Sequence, residues 1–113
     1  MAGSDLFTGT LDLVILRGLQ WEPMHGYGVG RWIRDTTEGV LDVDEGALYP
    51  ALHRLERDGL VTSEWGRTEK GRRARYYALT TVGRKRLAEE TRRWNEHSGA
   101  VSAVLSAPRE AGT

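Results

Sequence analysis

Residues 45–79, EGALYPALHRLERDGLVTSEWGRTEKGRRARYYAL, decide the fold. They predict one short helix followed by a β-hairpin whose loop is almost wholly Gly, Arg and Lys. On the helix, Leu48, Ala51, Leu52 and Leu55 fall at i, i+3, i+4 and i+7, a single apolar stripe. At about 100° per residue, Gly46, Pro50, His53 and Arg57 then point the opposite way, flanked by Tyr49 and Arg54. From residue 67 to residue 75 the hairpin carries Arg67, Lys70, Arg72, Arg73 and Arg75 against one acid, Glu69. A helix with a polar and basic outer face, beside a cationic hairpin, suits a DNA groove with the loop across the phosphates. The pattern is that of a winged helix.

The chain has 113 residues, the size of one domain, and a formal net charge of zero. That zero conceals a polarity. Three Arg/Lys face eight Asp/Glu before residue 54, and thirteen face eight from there on. The basic half is where a polyanion docks. With no cysteine, disulfides and thiolate metal sites are excluded. The start, MAGSDLFTG, lacks the basic end and apolar core of a secretion signal. The longest aliphatic run, Leu13–Leu16, is far short of the roughly 20 residues of a membrane span. A soluble, cytoplasmic protein is expected.

Upstream, a first helix is predicted from about Thr10 to Gln20, capped by Thr8 or Thr10, with Leu11, Val14, Ile15 and Leu19 inward. A second is predicted from Gly26 to Thr36, carrying Tyr27, Val29, Trp32 and Ile33. Gly28 and Gly30 inside it each cost about 1 kcal/mol relative to Ala, unless close packing needs them. Val40–Val43 has room only for a small strand. Asp44 is the expected N-cap of the third helix, and Glu45 suits its positive end. Asp58-Gly59 ends that helix, and Pro50 predicts a tight or kinked start. Leu60–Trp65 and Ala74–Leu79 are the predicted strands. Thr80 caps a last helix, to about Leu105, on which Leu87, Trp94 and Val101 lie seven apart. That narrow stripe, with Leu105 beyond it, suits pairing with another helix more than burial in one chain.

Helix, helix, short strand, helix, basic hairpin and long helix make an α+β fold, mainly α with a small β-hairpin. It is a winged helix-turn-helix with a C-terminal dimerisation helix. Residues 1–79 form the expected DNA-binding unit, residues 80–106 the dimerisation helix and residues 107–113 a disordered tail. LFTGTLDLVIL, PMHGYGV, EGALYPALHRLERDGLV and GRRARYYALTTVGR closely resemble the PadR-like transcriptional regulators, from Leu6 to about Leu105. The resemblance implies a homodimeric bacterial repressor, with the third helix in the major groove of a double-stranded operator and the hairpin as wing. It also implies, in some members, a small aromatic or lipophilic effector that releases DNA. Two positions depart from the family's pattern. Ala47 stands where a Ser or Thr is usual, removing one hydroxyl that could reach DNA, and Gly30 replaces a better helix former. The single, short C-terminal helix argues against a large separate effector domain.

Tyr49 reaches a phosphate or sugar, or else packs on the second helix; His53 faces outward toward a base edge or phosphate. Tyr27 lies at a helix N-terminus where N–H groups meet phosphate, or is a core tyrosine. Gly46 and Pro50 share the outer face of the third helix. In the wing, Lys70, Arg72 and Arg73 are the expected backbone contacts, and Arg75 is either a fourth or the partner of Glu64 across the hairpin. Leu87, Trp94, Val101 and Leu105 are the expected dimer seam. Trp94 serves there as a plain apolar contact or, paired across a dimer axis, as the stacking plate for a flat effector.

Catalysis finds no constellation. His25, His53 and His97 are scattered and lack metal or nucleophile spacing, so neither cofactor nor metal is expected. DVDEG at 42–46 resembles a calcium loop, but its Gly comes one position early and position 12 is His53. GYGVG at 26–30 lacks the preceding strand and third-glycine spacing of a dinucleotide fingerprint. The remaining alternative is a winged-helix adaptor for protein or RNA, which needs no two-fold symmetry.

Overall fold

The structure, a computed structural model, describes the backbone of residues 2–109 and the side chains from residue 9 onward. The elements are α1 (Ala2–Gly18), β1 (Met24–His25), α2 (Gly26–Thr36), α3 (Glu45–Arg57), β2 (Val61–Arg67), β3 (Arg73–Leu79) and α4 (Thr81–Ser106). The strands form an antiparallel sheet in the order β1-β3-β2. This is an α+β winged helix-turn-helix.

One apolar core joins α1, α2, α3 and the base of the hairpin. Ile15 and Leu16 of α1, with Leu19 just beyond its end, meet Val29 and Ile33 of α2, the α3 stripe, and Leu60, Val61 and Tyr77. Burying each such aliphatic side chain contributes about 1.5–3 kcal/mol. Gly30 lies where a Cβ would press within 3.3 Å of Leu48, so the helix α2 tolerates it because α3 packs close.

Asp44 caps α3 as expected: its Oδ1 accepts from the Ala47 N–H at 2.9 Å. The helix runs without interruption through Pro50, so no break follows the proline. The carbonyl of Gly46 loses its usual donor, since Pro50 has no N–H. Gly59, at φ +79°, turns the chain out of α3, and the Leu60 N–H returns to the Leu55 carbonyl at 2.9 Å.

Four expectations are corrected. α1 begins at Ala2, so Thr8 and Thr10 lie inside the helix rather than at its start. Ala2–Gly9 holds no proline, and its glycines weaken a helix without breaking it. The small strand is Met24–His25, not Val40–Val43: Met24 pairs with Tyr77 and His25 with Tyr76. The 40–43 stretch is folded back on α2 instead, with the Leu41 N–H donating to Thr37 Oγ1 at 3.0 Å and Val40 pointing to solvent. Both hairpin strands extend further toward the tip than expected, because the turn is tight. Gly71, at φ +80°, donates its N–H to the Thr68 carbonyl at 2.8 Å, and Thr68 donates to Arg72 at 2.8 Å. Last, Leu87 belongs to this chain's own core, at 5% exposure, and is not part of an open seam, because α4 packs against α1.

Thr80 does cap α4, its Oγ1 accepting from Gly83 N–H at 2.9 Å. Gly83 sits so close to the Leu60 carbonyl that any Cβ there would be driven into the oxygen. α4 stops at Ser106, Ala107 and Pro108 are non-helical, and residues 110–113 of the expected tail lie outside the described residues.

Candidate nucleic-acid interface

The outer face of α3 is the one expected. Gly46, Pro50, His53 and Arg57 are all exposed, while Leu48, Ala51, Leu52 and Leu55 are 0–2% exposed on the other side. Arg57 lies 3.2 Å from Asp58 and both are largely exposed, so the contact is screened by solvent and leaves the cation available. Arg54 is not available in the same way. Its Nη2 donates to Asp12 Oδ1 on α1 at 2.8 Å and ties the two helices together. Burial raises the pKa of Asp12, and the opposing attraction of Arg54 does not fully offset that.

The half-buried Tyr49 packs on the second helix. Its ring lies against the backbone of Gly26, where a Cβ would come within 2.5 Å of the ring edge. Burial raises the pKa of its hydroxyl, and the neighbouring Glu45 adds to the effect. Tyr27, by contrast, is no core residue: it is 62% exposed at the second position of α2. His25, which sequence reasoning left unassigned, caps that helix through Nδ1, accepting from Gly28 N–H at 3.0 Å. Its ring lies between Tyr27, stacked at 6.3 Å, and Tyr76, edge-on at 5.3 Å. The two adjacent tyrosines of β3 do face opposite sides. Tyr77 is buried, and Tyr76 donates its hydroxyl to the Arg67 carbonyl at 2.9 Å.

In the wing, Lys70 and Arg72 are exposed at the tip. Arg67 closes the turn by donating to the Gly71 carbonyl at 2.9 Å. Arg73 lies over the Trp65 ring, 4.2 Å from its centroid. Arg75 does not meet Glu64; its side chain, 42% exposed, turns back along the ribbon toward Glu56. It stands opposite Trp65 in the register, and its Nε donates to Ser63 Oγ at 2.8 Å. Trp65 and Ser63 escaped the sequence reading because their roles depend on the pairing of the two strands. The alternation of β2 was the only available signal.

On the far side, Gly9, Thr10 and Leu13 of α1 and Glu90, Arg93 and Trp94 of α4 line an open groove. Trp94 is 41% exposed, and the exposure of Val101, Val104 and Leu105 rises to 43%, 74% and 81%. Among the described residues no group of His, Cys, Asp or Glu is placed to hold a metal ion, and no helix is long and apolar enough to cross a membrane.

An exposed helix face next to a cationic hairpin, both carried on a winged helix-turn-helix, defines a DNA-binding transcriptional regulator. Residues 15–89 match the transcriptional regulator PadR-like family, and the chain belongs to it. It is 43% identical over 68 residues to the transcriptional regulator Rv3488 of Mycobacterium tuberculosis, covering 59% of this chain and 63% of that protein. The fold superposes on a PadR-like transcription factor from Bacteroides fragilis with a TM-score of 0.75, at 31% identity over 91% of this chain and 97% of that one. A transcriptional regulator from Clostridium thermocellum gives a TM-score of 0.77, at 30% identity over 88% of this chain and 93% of that one.

Proposed function

We propose that the protein is a homodimeric, sequence-specific repressor whose operator is read by α3 and gripped by the wing. The observation that carries this reading is the shared exposure of the Gly46, Pro50, His53 and Arg57 face and of the Lys70, Arg72 and Arg73 tip. His53 reads a base edge, Gly46 and Pro50 allow close approach of the helix, and Tyr27 meets a phosphate with the N-terminus of α2. Tyr49 shapes the gap between α2 and α3. Residues 1–79 are the DNA-binding unit. The part of α4 beyond Leu87, with Trp94, Val101 and Leu105, is the dimer seam, and its exposed apolar side chains support that role. Trp94 borders the α1–α4 groove, and there a flat aromatic effector would stack and compete with the dimer geometry that DNA requires.

Mobility shifts against the upstream region of its own gene, at several salt concentrations and with shuffled DNA as competitor, test the reading. A dimer neutralising about eight phosphates has a log–log salt slope of about −7. Replacing Arg72 and Arg73 by Ala flattens the slope and weakens binding to every sequence; an unchanged slope removes the wing from the interface. Replacing His53 by Ala changes preference among sequences, and a uniform loss would speak against base readout. Titration of tryptophan fluorescence with flat aromatics tests Trp94. If no compound perturbs Trp94, the residue is purely structural.

A further inference from the structure

Glu56 is out of place for a DNA-binding surface. It lies on α3, on the turn that faces the wing, and its side chain is 32% exposed. A carboxylate there repels a polyanion unless it does something else. Its Oε2 accepts from Ser63 Oγ of β2 at 2.6 Å and lies 3.7 Å from Nη2 of Arg75 on β3. Ser63 Oγ in turn accepts from Arg75 Nε at 2.8 Å, so its hydroxyl both donates and accepts. One side chain of α3 is thereby linked to both strands of the hairpin.

The row continues outward. Arg75 stands opposite Trp65 in the register, and Arg73 is diagonal to it on the same face of the ribbon. Their guanidinium carbons lie 5.4 and 4.2 Å from the centroid of the Trp65 ring. Trp65, though 55% exposed, therefore spends its ring on two cations of its own chain. Glu56, Ser63, Arg75, Trp65 and Arg73 make an unbroken sequence of directional contacts from the recognition helix almost to the wing tip. A two-stranded ribbon without such contacts twists freely about its base.

We propose that this row is a brace that fixes the wing relative to α3, so that Glu56, Ser63, Arg75 and Trp65 are positioning residues for operator discrimination. This rests on the DNA-binding reading above. Arg75 thereby leaves the set of direct phosphate contacts and Arg73 stays in it, held in one direction by the indole. The brace matters only where helix and wing must engage together. Specific DNA fixes the groove position of α3 and hence where the wing must reach; non-specific DNA is held by charge in many registers.

The test compares Glu56→Gln and Arg75→Lys with the wild-type dimer, on fragments selected by the wild type and on shuffled DNA. Glu56→Gln removes a negative charge, so charge alone makes it bind all DNA at least as tightly as the wild type. The brace makes it lose selectivity: shuffled DNA is bound as well or better, selected DNA worse. The selected-to-shuffled ratio falls about tenfold, the scale of one mismatched base pair. Arg75→Lys keeps the charge but loses the Nε donor, and it should lose selectivity with the salt slope unchanged. Circular dichroism and melting of each variant show whether it is folded; a misfolded Glu56→Gln passes the test to Arg75→Lys, which leaves the Glu56–Ser63 contact in place. If both folded variants keep the wild-type ratio, the brace is wrong. If the wild type itself shows no selectivity for any fragment, the DNA-binding reading fails first, and the brace with it.

Discussion

α3 and α4 both repeat apolar residues along one side, yet the two stripes end in different places. Leu48, Ala51, Leu52 and Leu55 of α3 are at most 2% exposed, because α1, α2 and β2 close around them. Of the apolar stripe on α4 Leu87 is covered; Trp94, Val101, Val104 and Leu105 run on into increasing exposure. A stripe therefore says that a helix needs a partner, and only the packing says whether that partner is the same chain. For α3 it is the chain's own core. For the outer half of α4 it is the second copy proposed above.

The largest effect expected is on the α3 side. Leu52→Ala should cost about 2–5 kcal/mol of folding stability, since the surrounding helices cannot collapse fully into the space. Denaturant unfolding measures it. Leu105→Asp, at 81% exposure, should leave the chain's own fold untouched and instead lower association, read by sedimentation velocity across a dilution series. A Leu105→Asp chain that stays associated, or that unfolds like Leu52→Ala, breaks the contrast between the two helices.

The junction between them gives the next largest effect. α4 approaches the hairpin at Gly83, against the Leu60 carbonyl that also accepts from Thr80 N–H at 3.1 Å. Gly83→Ala forces backbone apart from backbone, with no flexible side chain to yield, and should cost about 1–3 kcal/mol or more. Thermal unfolding reads the loss. An unchanged midpoint would mean that α4 can swing away from the wing base without penalty, and the outer stripe would then have no fixed direction.

Much of this geometry was legible because local chemistry dictates it. Gly26 and Thr36 bound α2 as expected, Asp44 and Thr80 cap their helices, and the outward face of α3 follows from its spacing alone. What stayed hidden depends on distant parts of the chain. Met24–His25 is too short for any strand signal and becomes one only by pairing with β3. Leu87 keeps heptad spacing with Trp94, so no periodicity could reveal that one is buried and the other 41% exposed. The site shows the same division. Lys70 and Arg72 could be placed at the tip from composition, whereas the partners of Arg54, Arg73 and Arg75 required the register and the helix packing.

The smallest expected effect concerns the contact that anchors α3 on α1. Asp12 accepts from Arg54 at 2.8 Å, and an ion pair ordinarily lowers an aspartate's pKa, yet burial outweighs the attraction and raises it above 3.8. The folded chain therefore holds this proton more tightly than the unfolded chain does. The contribution of Asp12 is most favourable at low pH and is lost as pH rises from about 3.8 through the higher folded value, after which it stays level. Asp12→Asn keeps an acceptor for Arg54 and removes the titration. Its stability at neutral pH should lie within about 1 kcal/mol of the wild type, as expected for a partly exposed pair. The difference between the two proteins should change only across that acidic window, with the wild type losing ground to the variant as pH rises. If the wild type gains ground instead, attraction by Arg54 exceeds the cost of burial, and α3 is held on α1 by charge as well as by its apolar stripe.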